Sequence, residues 1–244
     1  MSPWPEGYGR RVLQSVDSTL SEAARLAPDL TGPLWIVALE QTAARGRRGR
    51  AWSTPKGNFA GTLIMERKDP PGTAALRSFV ASLALYRAFV KVTDAPEAFA
   101  LKWPNDVLLH GGKVAGILLE STGTHLVIGI GVNLAYAPDP NALEARALPA
   151  KSLLADLGVS VTAEDFLDVL AAEYAQLEQQ FQTQGFAPIR LSWLAQAAKL
   201  GEVITARTMR DSWTGTFEDV DASGNLILRT AQGTQAIAAA DVYF

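Results

Sequence analysis

Apolar residues fall into two patterns along this 244-residue chain. Residues 34–39, 58–65, 99–103, 107–109, 114–120 and 126–134 are short apolar runs bounded by turn formers, and they predict strands. Gly111-Gly112, between two of these runs, predicts a tight hairpin turn. Between 74 and 91, Leu76, Phe79, Val80, Leu83 and Phe89 recur at helical spacing. Good helix formers follow Asp17, Ser18 and Thr19, any of which could cap a helix over 17–27. Thr162, with Asp165 at the reciprocal capping position, starts a long helix that runs to Gly185, and its stripe of Phe166, Leu167, Leu170, Tyr174, Leu177 and Phe181 marks a core face. A second helix around 188–199 stops at Gly201. Residues 135–150, rich in Ala and Pro, read as a loop.

Beyond residue 200 the pattern changes to short strands at 203–206, 213–217, 226–229 and 235–237, with a turn at 221–225. The chain therefore divides near residue 197 into an α+β domain with a mixed sheet (1–197) and a barrel-like β module (198–244). A module of about 47 residues is marginal by itself, so it should dock on the larger domain.

Composition narrows the chemistry. With 48% apolar and 19% charged residues the chain reads as an ordinary globular protein. It has no cysteine, which removes disulfides and thiolates, and its two histidines, His110 and His125, are too scattered for a zinc site. The first residues lack a basic start and an apolar stretch, and no uninterrupted apolar run approaches the ~20 residues of a membrane span. A cytoplasmic protein without a membrane partner is expected. A net charge of -3 and a pI near 5.5 do not support general nucleic-acid binding, so any anion site must be local.

Arg45-Gly46-Arg47-Arg48-Gly49-Arg50 supplies such a site. The glycines and the following Ser53-Thr54-Pro55 disfavour a helix, which places four guanidinium groups on a mobile loop directly after a strand. It is not a Walker A loop. Taken alone, such a run reads as a solvated basic loop or a nucleic-acid patch. Lys102-Trp103-Pro104-Asn105-Asp106 ends another strand with an ammonium for phosphate, a plane for stacking, an amide for a base edge and a carboxylate for Mg2+. The bland alternative is a proline turn with local hydrogen bonds. Lys113-Val114-Ala115-Gly116-Ile117-Leu118-Leu119-Glu120 and Gly129-Ile130-Gly131-Val132-Asn133 add a lysine and strand glycines that allow close approach. Glu120 reads as a solvent- or strand-facing residue rather than a base.

Taken together and in this order, Ser18-Thr19 before a helix, the arginine loop, Lys-Trp-Pro-Asn-Asp, Lys-x-Ala-Gly-Ile-Leu-x-Glu and Gly-x-Gly-x-Asn resemble biotin protein ligase over nearly the whole chain. The resemblance implies a mixed-sheet ligase domain with a small C-terminal SH3-like β-barrel. It implies a ligase that uses ATP and Mg2+ to make biotinyl-5′-AMP and then transfers biotin to a lysine of a biotin carboxyl-carrier domain, such as that of acetyl-CoA carboxylase. Under it, Arg45, Arg47 and Lys113 carry the chemistry. Ser18, Thr19, Gln41, Arg45, Lys113 and Gly116 hold biotin. Arg47, Lys102, Trp103, Asn105 and Asn133 hold the nucleotide, Asp106 serves Mg2+, and the 135–150 loop forms a second lid. Arg48 and Arg50 support the loop. Two departures stand out: Leu20 where the family has Asn, and Ala44 where it has Gly, both expected to weaken biotin binding. Only 16 residues precede Asp17, too few for the DNA-binding repressor domain of some members, so no DNA partner is expected. A homodimer is in keeping with the resemblance. A lipoate or octanoate ligase or transferase of the same superfold, or a non-catalytic anion-binding module, are the alternatives. Biotin- or lipoate-dependent pyrophosphate release separates them.

Overall fold

The computed structural model describes residues 3–50, 52, 54–139, 148–208 and 210–244. Its larger unit is a seven-stranded sheet in the order β1-β2-β3-β7-β6-β5-β4. The strands are β1 (Gly9–Leu13), β2 (Leu34–Ala38), β3 (Phe59–Glu66), β4 (Phe99–Lys102), β5 (Asp106–Leu109), β6 (Gly112–Thr122) and β7 (His125–Val132). β1 pairs with β2 in parallel and the remaining pairs are antiparallel, so the sheet is mixed. The exposed β1 escapes sequence detection because its polar Arg10 and Arg11 break the apolar signal.

Strand alternation divides the sheet into two faces. Trp35 and Val37 of β2, Leu63 and Met65 of β3, and Ile128 and Ile130 of β7 face the main core. There they meet α3 (Arg77–Thr93), α5 (Ala163–Gln184) and α6 (Phe186–Leu194). Ile36, Ile64 and Val127 face the other way and pack with Leu20, Ala23 and Ala27 of and after α1 (Thr19–Leu26). The short α2 (Pro71–Ala75) precedes α3, and α4 (Leu153–Leu157) precedes α5. The span Pro71–Thr93 is long and apolar enough to cross a membrane, but 67% of its window is buried within the fold. It is a core helix packed on α5.

Local signals account for several boundaries. Thr162 accepts a hydrogen bond from the Asp165 amide at 3.1 Å, as the capping pattern predicts. The β5–β6 hairpin turns at His110-Gly111 rather than Gly111-Gly112. Both turn residues have positive φ (47° and 79°), as a two-residue turn of this hand requires, and Gly112 already pairs with Leu109.

The C-terminal unit is a five-stranded antiparallel sheet in the order β11-β10-β9-β8-β12. Its strands are β8 (Val203–Arg207), β9 (Ser212–Val220), β10 (Leu226–Thr230), β11 (Gly233–Ile237) and β12 (Asp241–Tyr243). No hydrogen-bonded pairing closes this sheet into a complete barrel among the described residues. The expected docking is present. The Leu101 amide donates to Gln196 O at 2.8 Å and the Ala198 amide to Leu101 O at 2.7 Å. The 221–225 turn inserts Gly224 against α3, where a Cβ would lie 2.9 Å from Leu76 and 3.0 Å from Phe79. Gly224 also accepts a hydrogen bond from the Trp103 indole at 3.1 Å.

Candidate active site

The same alternation that buries α1 leaves a row of small and polar residues farther along that face. Gly129 and Gly131 on β7, and Asn133 just beyond its end, alternate with core residues, as do Gly116, Leu118 and Glu120 on β6. Gly116 pairs directly with Gly131, and Leu118 with Gly129. Backbone is thereby exposed at the centre of the sheet, and a cleft of about 940 Å3 opens over it. That is near the upper end for a small-molecule site.

The arginine run forms one wall. It is a closed turn rather than an open loop: the Gly46 amide donates to Arg50 O at 2.7 Å and the Trp52 amide to Ala44 O at 3.2 Å. Arg48 and Gly49 both take positive φ (58° and 72°) to make the reversal. Ala44 is not among the residues with positive φ, so its methyl imposes no left-handed strain. Arg45 reaches across the sheet to Glu120 at 2.8 Å and to Ser21 at 3.1 Å. Arg47 donates to Asn105 Oδ1 at 3.1 Å, while Asn105 Nδ2 donates to Ile117 O at 2.6 Å.

The C-terminal sheet forms another wall. Asp241 on β12 lies 2.6 Å from Arg48, 3.3 Å from Arg50 and 3.9 Å from Arg47. One carboxylate from the distant module thus gathers three guanidinium groups, which supports the expectation that Arg48 and Arg50 hold the loop. Arg207 and Phe244 also line the cleft.

Lys113 and Lys102 flank Asp106, at 2.6 and 3.6 Å. Burial pushes the Asp106 pKa up, but Lys113 and Lys102 overcome it and hold it below the ordinary carboxylate value. Asp106, where Mg2+ was expected, lines the cleft between these two ammonium groups as their counter-ion. The lining includes six cations (Arg45, Arg47, Arg50, Lys102, Lys113, Arg207) and two carboxylates (Asp106, Asp241). Burial lowers the pKa of Arg47, as do Arg48 and Arg50, against the pull of Asp241 and Asp106. The cleft therefore carries excess positive charge suited to a multiply charged anion.

Lys102 sharpens this into a pH dependence. Burial, then the charge of Lys113, lowers its pKa from the ordinary 10.5, against Asp106 and Asp241. It loses its proton earlier than an exposed lysine as pH rises, and an anionic ligand needs that proton. The KM for such a ligand is therefore expected to climb with pH on the alkaline side, below pH 10.5. Lys102→Arg should move the climb to higher pH; an identical profile in the variant would contradict the assignment.

The structure places Trp103 away from the expected nucleotide site. It is 3% exposed, belongs to the main core and does not line the cleft. Its plane is spent on packing and its N–H on Gly224. The aromatic plane over the glycine floor is Trp52, which sequence reasoning gave no role. A Cβ at Gly131 would lie 2.4 Å from the Trp52 indole nitrogen, and Lys113 Nζ lies 5.4 Å from the ring centroid. The paired glycines facing one aromatic were the available signal. Nothing in the sequence linked Asp241 to the arginines, because the contact crosses almost the full chain.

Ser18, Thr19 and Gln41 line the end of the cleft at the start of α1, with Gly116 on its floor. Ser18 sits at the N-cap but makes no side-chain capping bond. Asn133 is buried, donates to Lys151 O at 3.0 Å, and its Oδ1 has no hydrogen-bond partner among the described residues. The 135–150 segment begins under control of Asn58, whose Oδ1 accepts from the Ala135 and Tyr136 amides. Its centre, 140–147, where the second lid was expected, lies outside the described residues.

Leu20 is 5% exposed and covers Gly129 while packing with Ala23, Ile36, Ile64 and Val127. Leu20→Asn would bury an amide in that aliphatic cluster, at a cost of about 2 kcal/mol. A drop in Tm of roughly 6 °C is expected for a chain of this size, and an unchanged melting curve would contradict the placement.

Comparison with known proteins agrees with this geometry. A family model described as the biotin/lipoate A/B protein ligase family matches residues 9–133, and the biotin protein ligase C terminal domain matches residues 199–244. The biotin--[acetyl-CoA-carboxylase] ligase of Paracoccus denitrificans is 52% identical over 238 residues, covering 96% of this chain and 99% of its own. The bifunctional ligase/repressor BirA of Bacillus subtilis is 31% identical, over 95% of this chain and 71% of its own. The fold matches biotin protein ligase from Aquifex aeolicus in complex with biotin and ATP, with a TM-score of 0.85, 24% identity, and coverage of 96% and 98%. The chain belongs to the biotin/lipoate A/B protein ligase family and, with its C-terminal domain, to the biotin protein ligases.

Proposed function

We propose that this cleft joins biotin to ATP and that the acyl-adenylate then modifies a lysine of a carrier domain; the name of the Paracoccus denitrificans relative, a biotin--[acetyl-CoA-carboxylase] ligase, supports acetyl-CoA carboxylase as the source of that domain. The observation that carries the reading is the excess of cations gathered over a glycine floor. A biotin carboxylate oxygen attacks the α-phosphorus, forming the new O–P bond while the α–β bridging P–O bond breaks and pyrophosphate leaves. In the second step the carrier amine attacks the acyl carbon, forming C–N, breaking C–O, releasing AMP and losing a proton. Two like charges ~4 Å apart at an effective dielectric of ~20 repel by about 4 kcal/mol. Fixed cations remove that barrier and stabilise charge developing in the transition state.

Arg45, Arg47 and Lys113 are the groups assigned to the carboxylate and α-phosphate. Each is held in place by a partner: Glu120, Asn105 and Asp106. Ser18, Thr19 and Gln41 hold the ureido ring, and Gly116 admits the ligand close to backbone. Asn105 and Asn133 serve the adenosine side. The orphaned Asn133 Oδ1 is an acceptor suited to an exocyclic amine, and Trp52 supplies the plane that Trp103 does not. Lys102 serves the phosphates. Mg2+ enters with ATP as part of the substrate. Residues 1–197 form the catalytic unit, and 198–244 provide the wall that anchors its arginine turn.

The test is incubation with Mg·ATP and either biotin or lipoate, following pyrophosphate release. Release that requires biotin is expected. Release that requires lipoate, or none with either acid, would overturn the assignment.

A further inference from the structure

The face of the sheet beneath α1 is aliphatic at Ile36, Ile64 and Val127, with one exception. Thr62, at the middle of β3, is 0% exposed and sits between Ile36 on one neighbouring strand and Gly129 on the other. Valine has nearly the same shape, and a buried hydroxyl is costly unless it is hydrogen-bonded. The Thr62 hydroxyl donates to Thr19 Oγ1 at 2.8 Å. Thr19 in turn donates twice to Gln41 Oε1, from its hydroxyl at 3.1 Å and its amide at 2.8 Å. Gln41 Nε2 donates to Thr54 Oγ1 at 3.1 Å.

This relay has a fixed direction. Because Thr62 supplies a proton to Thr19, the Thr19 hydroxyl proton is committed to Gln41. Both lone-pair directions of Gln41 Oε1 are then used, which sets the amide with its nitrogen toward Thr54. What remains for a ligand is one lone pair on Thr19 Oγ1 and one N–H on Gln41. An acceptor beside a donor complements a cyclic urea, which presents N–H groups flanking a carbonyl. The dithiolane of lipoate and the alkyl chain of octanoate present neither, and would leave both protein groups unpaired.

We propose that Thr62, which does not itself line the cleft, is a positioning residue that sets the hydrogen-bond polarity of the Thr19 hydroxyl, leaving its acceptor beside the Gln41 N–H, and so makes the pocket selective for a urea ring. The proposal rests on the biotin reading given above. Without the Thr62 proton the Thr19 hydroxyl can turn away from Gln41, whose amide stays oriented by the Thr19 backbone N–H.

The experiment is steady-state pyrophosphate release by Thr62→Val and Thr62→Ser, with biotin and ATP varied separately. Thr62→Val is expected to raise the KM for biotin about tenfold, with kcat and the KM for ATP within about twofold of wild type, the loss of about one neutral hydrogen bond. Thr62→Ser keeps the hydroxyl and is expected to restore the biotin KM. Thr62→Ala should show the same biotin-specific rise and serves if the valine variant does not fold. An unchanged biotin KM in the apolar variants, a parallel rise in the KM for ATP, or a serine variant as poor as valine would each overturn the role. In all three cases an active wild type leaves the ligase reading intact. A wild type without biotin-dependent release would instead sink that reading, and this proposal with it.

Discussion

Replacing Lys113 by methionine is expected to lower kcat for biotin-dependent pyrophosphate release on the order of 10³-fold, the scale of losing one charged group aimed at developing negative charge. Lys113 follows the His110-Gly111 turn, and its backbone is clamped on both sides: its amide donates to Pro149 O at 2.7 Å and its carbonyl accepts from the Lys151 amide at 2.9 Å. Its ammonium is held at Asp106, 2.6 Å away, beside the glycine floor. That pairing complicates the simple variant, because Lys113→Met leaves Asp106 facing Lys102 alone at 3.6 Å. Removing one partner from a largely buried pair destabilises by leaving the other charge short of compensation. Lys113→Met combined with Asp106→Asn removes both charges. The double variant is expected to recover stability in thermal unfolding while remaining as slow as the single one. Recovery of the rate together with stability would show that Lys113 acts through folding and not through the reacting phosphate.

A second large effect lies outside the cleft. Arg77 on α3 is 6% exposed and grips Glu178 on α5 through Nε at 3.0 Å to both carboxylate oxygens and through Nη2 at 2.8 Å. It also contacts Asp69 at 2.7 Å. Glu178, 2% exposed, receives further hydrogen bonds from Tyr174 and Gln182. Arg77→Met would strand that carboxylate in the core, at a cost of about 3–5 kcal/mol. For a chain of this size the Tm should fall by roughly 10 °C. Arg77→Met with Glu178→Leu should regain most of the loss, since two apolar side chains can replace a buried pair. A single variant that melts like wild type would show that α3 and α5 do not depend on this contact.

The parts legible in sequence are those encoded over short spans. The strands of β6 and β7 were legible as short apolar runs bounded by turn formers, and their glycines and Asn133 as motifs within a few residues. The Thr162 cap and the arginine run are equally local. What was not legible depends on long-range contact. Trp103 read as a stacking plane because nothing nearby reveals that Gly224, 121 residues away, accepts its N–H. Asp241 and Thr62 carry no local signal at all: one is a carboxylate in a small module, the other a threonine in a strand where threonine is ordinary. Their meaning comes only from what folding places opposite them.

The central claim is that a biotin carboxylate oxygen, held by these cations, attacks the α-phosphorus of ATP. Biotin carrying 18O in its carboxylate, incubated with the protein, ATP and an amine acceptor, tests it directly by mass spectrometry of the nucleotide products. One 18O atom in AMP and none in pyrophosphate is the predicted result. Unlabelled AMP, or label in ADP or orthophosphate, would contradict it.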